Sequence, residues 1–90
     1  MMRVKMQVYG RVQGVGFRYM TKILADNIGV YGIVRNEYDG SVYIEANGDA
    51  DKVTLFIQKV RESPSPAGVV KDLLIEYDAD IPERTTFHVM

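Results

Sequence analysis

The most reactive-looking stretch of the sequence lies between Gly10 and Arg18 and reads Gly-Arg-Val-Gln-Gly-Val-Gly-Phe-Arg. Three glycines in seven residues let the chain curl with its N–H groups converging on one side, which makes a concave nest for an anion. The stretch runs straight into a helical pattern, so the positive end of a helix falls at the same place. Arg18 stands at the start of that helix. A guanidinium keeps its charge at any working pH and can grip two oxygens at once. Nest, helix end and arginine describe a site for a small, multiply charged anion, most simply phosphate. A glycine-rich β-to-α connection beside a solvated arginine has the same composition, and composition alone leaves both readings open. The stretch is not a P-loop, because no Gly-Lys-Ser/Thr follows. Glycines at 10, 14 and 16 do not fit the dinucleotide fingerprint either.

Elsewhere the chemical candidates are weaker. The chain has no cysteine, which removes disulfides, thiolate metal sites and cysteine nucleophiles together. His88 is the only histidine and falls near the end of the chain, where a structural role explains it. Asp49 and Asp51 have a metal-like look, but a helix cap accounts for Asp49 and no Gly-x5-Glu loop follows. No group of residues has metal-ligand spacing, so neither metal nor cofactor is expected. The six tyrosines lack the Lys/Arg-Gly-Phe/Tyr-Gly/Ala-Phe pattern of an RNA-binding sheet and are read as packing residues.

The strands and helices that flank the loop follow from periodicity. Val4, Met6 and Val8 alternate with Arg3, Lys5 and Gln7, which predicts a strand with one buried face. From Phe17 the period becomes helical, with Met20, Ile23, Leu24 and Ile28 as the apolar stripe and Gly29 as the stop. Val30 to Asn36 and Ser41 to Ala46 form a hairpin around Asp39-Gly40. Asn47-Gly48-Asp49 breaks the second of these strands, and Asp49 is expected to cap a helix by accepting backbone N–H bonds. That helix buries Val53, Phe56, Ile57 and Val60 and is stopped by Ser63-Pro-Ser-Pro66. Val69 to Tyr77 is a strand whose Lys71 and Asp72 suit a sheet edge. Thr86 to Val89 is a short final strand with Phe87 and Val89 facing in. The order β-α-β-β-α-β plus one short strand predicts an α+β, ferredoxin-like sandwich: an antiparallel sheet with both helices on one face. Arg35, on the face opposite Asn36, is read as a solvated charge.

With 90 residues the chain is expected to be one domain, residues 1–90. Net charge is −1, so nothing draws it globally to nucleic acid or an anionic membrane. No run approaches a membrane span or the apolar core of a signal peptide. The expectation is a cytoplasmic protein without membrane or nucleic-acid partner, and a monomer, since Lys71 and Asp72 discourage edge pairing.

Gly10-Arg-Val-Gln-Gly-Val-Gly-Phe-Arg18 closely resembles the signature of the acylphosphatases, and Val34-Arg35-Asn36 followed by Asp39-Gly40-Ser41-Val42 resembles that family's second motif. The resemblance covers nearly the whole chain and includes Phe87. Ile33 departs from it, because an aromatic residue is common there; the departure touches packing rather than chemistry. The short tail leaves open whether the C-terminus reaches the site. The resemblance implies hydrolysis of the carboxyl-phosphate bond of an acyl phosphate, giving carboxylate and inorganic phosphate. It implies that the amides of Gln13, Gly14, Val15, Gly16 and Phe17 and the Arg18 guanidinium hold the phosphoryl oxygens, and that Asn36 orients the attacking water. Such chemistry suits these residues: a carboxylate of pKa near 4 leaves without a proton donor, and phosphoryl transfer needs mainly positioning and charge stabilisation. Two rivals differ in class. A non-catalytic ferredoxin-like module that binds an anion would keep the nest without needing Asn36, and a nucleic-acid-binding module is disfavoured by charge and motif.

Overall fold

A computed structural model describes all 90 residues, Met1 to Met90. The elements run β1 (Met2–Arg11), α1 (Phe17–Ile28), β2 (Tyr31–Asn36), β3 (Val42–Gly48), α2 (Ala50–Arg61), β4 (Val69–Tyr77) and β5 (Phe87–Val89). The strands form one sheet in the order β4-β1-β3-β2-β5. The β1–β3, β1–β4 and β2–β3 pairs are antiparallel, while the short β5 lies parallel to β2. The ferredoxin-like expectation therefore holds for the first four strands, and the appended strand adds the one parallel pair.

Alternation puts Val4, Met6 and Val8 opposite Ala46, Ile44 and Val42, and all six are buried. Both helices contribute to the same cluster, through Phe17 and Ala25 of α1 and Val53, Phe56, Ile57 and Val60 of α2. Phe56 and Phe87 meet edge to face at 5.8 Å between ring centres, which adds about 0.5–1.5 kcal/mol to their burial. β4 supplies only partly buried residues, Val70, Leu73 and Ile75, as an edge strand should.

Several boundaries differ from expectation for physical reasons. β1 continues through Gly10 and Arg11, which pair with Val70 and Val69 after a register shift at Tyr9/Gly10. A Cβ at Gly10 would meet the Val69 carbonyl oxygen at 2.2 Å, so only glycine lets the two strands close there. β3 runs past Asn47 instead of breaking at it. Asn47 pairs with Arg3 and Tyr31, and its buried carboxamide exchanges hydrogen bonds with the Arg84 main chain, donating at 2.9 Å and accepting at 3.0 Å. The fully buried line of α1 is Phe17, Thr21 and Ala25, flanked by the partly buried Leu24 and Ile28; Met20 and Ile23 are also only partly buried. Thr21 can sit there because its hydroxyl donates to the Phe17 carbonyl at 2.8 Å. Asp49 occupies the N-cap position of α2, but its side chain makes no cap hydrogen bond. Ile33, the departure from the family pattern, is buried, in keeping with a position that touches packing. Val89 is 41% exposed rather than buried; β5 is too short to be covered at its end.

Candidate active site

The loop between β1 and α1 is shaped by two glycines in the left-handed region, Gly14 at φ 75° and Gly16 at φ 76°. Apart from the glycine itself and its two chain neighbours, no protein atom lies within 4 Å of where a Cβ would stand at either, so the requirement is conformational and not a clash with the rest of the fold. An L-residue held there costs about 1–2 kcal/mol. Gly16 is also the N-cap of α1, and its left-handed backbone turns the chain abruptly into the helix. Phe17 follows at 1% exposure and fastens the first helical residue to the core. The loop is thus tied down on its far side by an aromatic ring and left open on the other.

The main-chain N–H groups of residues 13–17 take no part in the hydrogen bonds made by turns and loops, whereas Met20 N–H already bonds Gly16 O at 3.1 Å. They remain as unused donors in front of a helix whose first turn contains no acidic residue. A pocket of about 200 Å³ opens here, lined by Gly14, Gly16, Phe17, Arg18 and Asn36, with Val12, Tyr19 and Val89 at its sides. Arg18 and Asn36, 18 positions apart in sequence, therefore face one space. Arg18 forms no ion pair with any carboxylate side chain. Its Nη1 donates to the main-chain oxygen of Met90 at 2.9 Å, and Met90 N–H bonds Val34 O at 2.8 Å. The end of the chain does reach the site, where it steadies the guanidinium and leaves its other donors available.

Asn36 is exposed at the end of β2, on the helix-bearing side that it shares with Val34. The hydrogen bonds around it run between Gln13, Glu37, Asp39 and Ser41 and leave its carboxamide free. Gln13 has a second part to play that its sequence context did not disclose. Its Nε2 donates to both Glu37 O and Ser41 O at 2.8 Å, clamping the loop to the β2–β3 turn just beyond Asn36. Ser41 accepts from Gln7 Nε2 at 2.6 Å, and its N–H donates to the Asp39 carboxylate at 2.9 Å. Hydrogen bonds from the Ser41 side chain and backbone lower the Asp39 pKa below its ordinary value. Val15 lies partly buried against the core and its carbonyl accepts from the buried Ser65 hydroxyl. Ser65 was expected only to help stop α2.

Two other concave regions lack these features. A larger depression of about 370 Å³ lies among Lys5, Gln7, Tyr43, Leu74 and Glu76, but its cation is paired, Lys5 to Glu76 at 3.7 Å. The third mixes Lys52 and Arg84 with Asp49 and Glu83. Arg35, read as a solvated charge, is exposed but lies over the Tyr43 ring, 4.4 Å from its centre. Tyr43 donates to Glu45 at 2.7 Å; burial first, then this bond, pushes its pKa up to about 12. Burial works to raise the Glu45 pKa, but hydrogen bonds from Tyr43 and Arg84 outweigh it and the net shift is down. His88 is exposed and pairs with the Thr86 hydroxyl at 2.7 Å. No group of three or more His, Cys, Asp or Glu residues is placed to hold a metal ion. No helix is long and apolar enough to cross a membrane.

A family model for acylphosphatase matches residues 4–89. An acylphosphatase of Enterococcus faecalis is 52% identical over 90 residues, covering all of this chain and 99% of that one. An acylphosphatase of Lactiplantibacillus plantarum is 56% identical over 73 residues, 81% of each chain. Among solved structures, the acylphosphatase from Bacillus subtilis superposes with a TM-score of 0.93 at 33% identity, covering all of this chain and 99% of that chain. The chain belongs to the acylphosphatase family, hydrolases acting on acid anhydrides.

Proposed function

We propose that the β1–α1 loop binds the phosphoryl group of an acyl phosphate through the amides of Gln13 to Phe17 and the Arg18 guanidinium, while Asn36 orients the water that attacks it. The observation that carries this reading is one pocket lined by Gly14, Gly16 and Phe17 of a loop whose N–H groups are unused, by an arginine with no carboxylate side-chain partner and by an asparagine with a free carboxamide; Gln13 and Val15 belong to the same loop but do not line the pocket. The nonbridging oxygens accept from the loop and from Arg18, which matches the charge that spreads over them as the P–O bond opens. Water forms the new bond to phosphorus, the bond to the acyl oxygen breaks, and the carboxylate departs with both electrons. The proton lost by the water passes to the phosphate product. Asn36 cannot take that proton; its amide oxygen accepts a hydrogen bond and so fixes the direction of the water's lone pair. Carboxylate and inorganic phosphate are the products, and no metal or cofactor enters any step.

A site that grips only the phosphoryl end leaves the acyl group in solvent, so broad use of acyl phosphates is expected. The chain acts as one domain of residues 1–90, as a monomer, in the cytoplasm and without nucleic acid. The test is hydrolysis of benzoyl phosphate. Turnover should persist in a chelator, and inorganic phosphate should inhibit competitively. Loss of activity in chelator, restored by a divalent ion, would overturn the cofactor-free mechanism.

A further inference from the structure

The hydroxyl of Ser65 donates to the carbonyl of Val15, across a separation of 50 residues. Ser65 is 3% exposed and lies between Pro64 and Pro66, whose rings fix two of the neighbouring backbone angles. Its own carbonyl is held from both sides, by Ser63 Oγ at 2.8 Å and by Gly68 N–H at 3.0 Å. The turn thus presents one buried hydroxyl, rigidly, to one carbonyl of the loop described above.

In a planar trans peptide the carbonyl and the following N–H point in opposite directions. With the Val15 carbonyl held towards Ser65, the Gly16 N–H is directed away from Ser65, and Gly16 itself lines the pocket together with Gly14 and Arg18. Gly16 is the residue least able to enforce that orientation itself, because glycine takes either sign of φ at little cost. A rotation of this one peptide unit would replace a donor facing the anion with an acceptor. We propose that Ser65 is a positioning residue for the phosphate site: its hydroxyl holds the Val15–Gly16 peptide in the orientation that points the Gly16 N–H at the phosphoryl group. The proposal rests on the reading of the loop as the phosphoryl site.

The alternative is that the bond merely satisfies a buried carbonyl and contributes to stability like any other. The two separate in Ser65→Ala. Without the hydroxyl the flipped peptide becomes populated, and affinity falls by the fraction of molecules no longer competent. The inhibition constant of inorganic phosphate should rise about tenfold or more, kcat/KM should fall in proportion, and Ser65→Thr, which keeps a hydroxyl, should restore both. Unchanged phosphate affinity in a Ser65→Ala protein that has only lost thermal stability would overturn the proposal. Should the variants fail to fold, phosphate titration of the unsubstituted protein by amide NMR still decides. The Gly16 amide should shift along the same saturation curve as Gly14 and the Arg18 side chain. A silent Gly16 amide among responding neighbours refutes the role of Ser65 and spares the site. Silence of the whole loop refutes the site reading, and this proposal with it.

Discussion

The protein enters a helix from a strand twice, and the two junctions are built to opposite ends. Between β3 and α2 the turn is one residue, Asp49, with an extended backbone (φ −59°, ψ 140°), and Asp51 places a carboxylate in the first helical turn. That helix end brings its own negative charge. Between β1 and α1 the connection has five residues, two of them glycines in the left-handed region, and the first turn of α1 has no acidic residue but does have Arg18. Neither N-cap makes a side-chain hydrogen bond. The first junction therefore leaves its donors and its positive potential unmet by any acidic residue of its own helix, and the second has its potential offset within the chain. The same βαβ architecture thus yields one structural corner and one candidate binding site, and the difference lies in a few residues at the turn.

Removing the cation at the first junction should have the largest consequence. Arg18→Ala is expected to leave the circular dichroism spectrum intact and to lower acyl phosphate turnover by about 10³-fold or more. Arg18→Lys should not restore it, because a point charge lacks the planar fork. Near-full activity in the Lys variant would show that charge alone suffices there.

Asn36→Asp comes next. The carboxylate is nearly isosteric and keeps an acceptor oxygen, but it stands beside an anionic phosphoryl group. At about 4–5 Å and an effective dielectric near 20 the repulsion is about 3–4 kcal/mol. Half of that slows turnover by about tenfold or more. Asn36→Ala should be severely impaired as well, with phosphate affinity far less changed. Turnover of the three proteins across pH 4–8 tests this, and an Asp variant as active as the parent at neutral pH would count against water orientation.

Exchanging the electrostatics of the two junctions should give a smaller, opposed pair of effects. Tyr19 is exposed in the first turn of α1 and lines the pocket. Tyr19→Glu would give α1 the acidic first turn that α2 has, and phosphate affinity should fall about two- to fivefold, the range expected of one charge at a helix end. Asp51→Asn should instead lower unfolding stability by about 0.3–1 kcal/mol and leave phosphate inhibition unchanged. Equal effects of both substitutions on phosphate inhibition would erase the distinction between the junctions.

The smallest expected effect belongs to the β2–β3 turn that carries Asn36. Hydrogen bonds from Ser41 lower the pKa of Asp39 below its ordinary value of 3.8. A carboxylate with a depressed folded-state pKa contributes stability that is present above the unfolded value and is lost as pH falls through the folded one. The turn should accordingly hold its geometry from neutral pH down to about pH 4 and loosen only below. Thermal unfolding of the parent and of Asp39→Asn should differ most within that range and converge as pH drops beneath it.

Local pattern made much of this legible. Alternation in β1 and β3, the helical stripe of α2 and the glycine spacing of the loop are all properties of neighbouring residues, and they placed Arg18 and Asn36 at the ends of the elements that carry them. Periodicity misjudged what distant contacts decide. Thr21 rather than Met20 lies deepest under α1 because a back-bonded hydroxyl can be buried where the helix meets the sheet. β3 continues past Asn47 because a loop 37 residues away occupies its carboxamide. The clamp from Gln13 to the β2–β3 turn and the bond from Ser65 to Val15 join segments with no sequence pattern in common. A serine between prolines reads locally as a helix stop, and only the fold brings it beneath the loop.

The central claim is that the β1–α1 junction, and not its β3–α2 counterpart, holds the phosphoryl group through its main chain. Titration of the 15N-labelled protein with inorganic phosphate tests it directly. The amides of Gln13 to Phe17 and the Arg18 side chain should shift along one saturation curve whose midpoint equals the inhibition constant for acyl phosphate hydrolysis, while the amides of Ala50 to Lys52 stay in place. Saturable shifts at Ala50 to Lys52, or inhibition by phosphate with the amides of Gln13 to Phe17 unmoved, would contradict it.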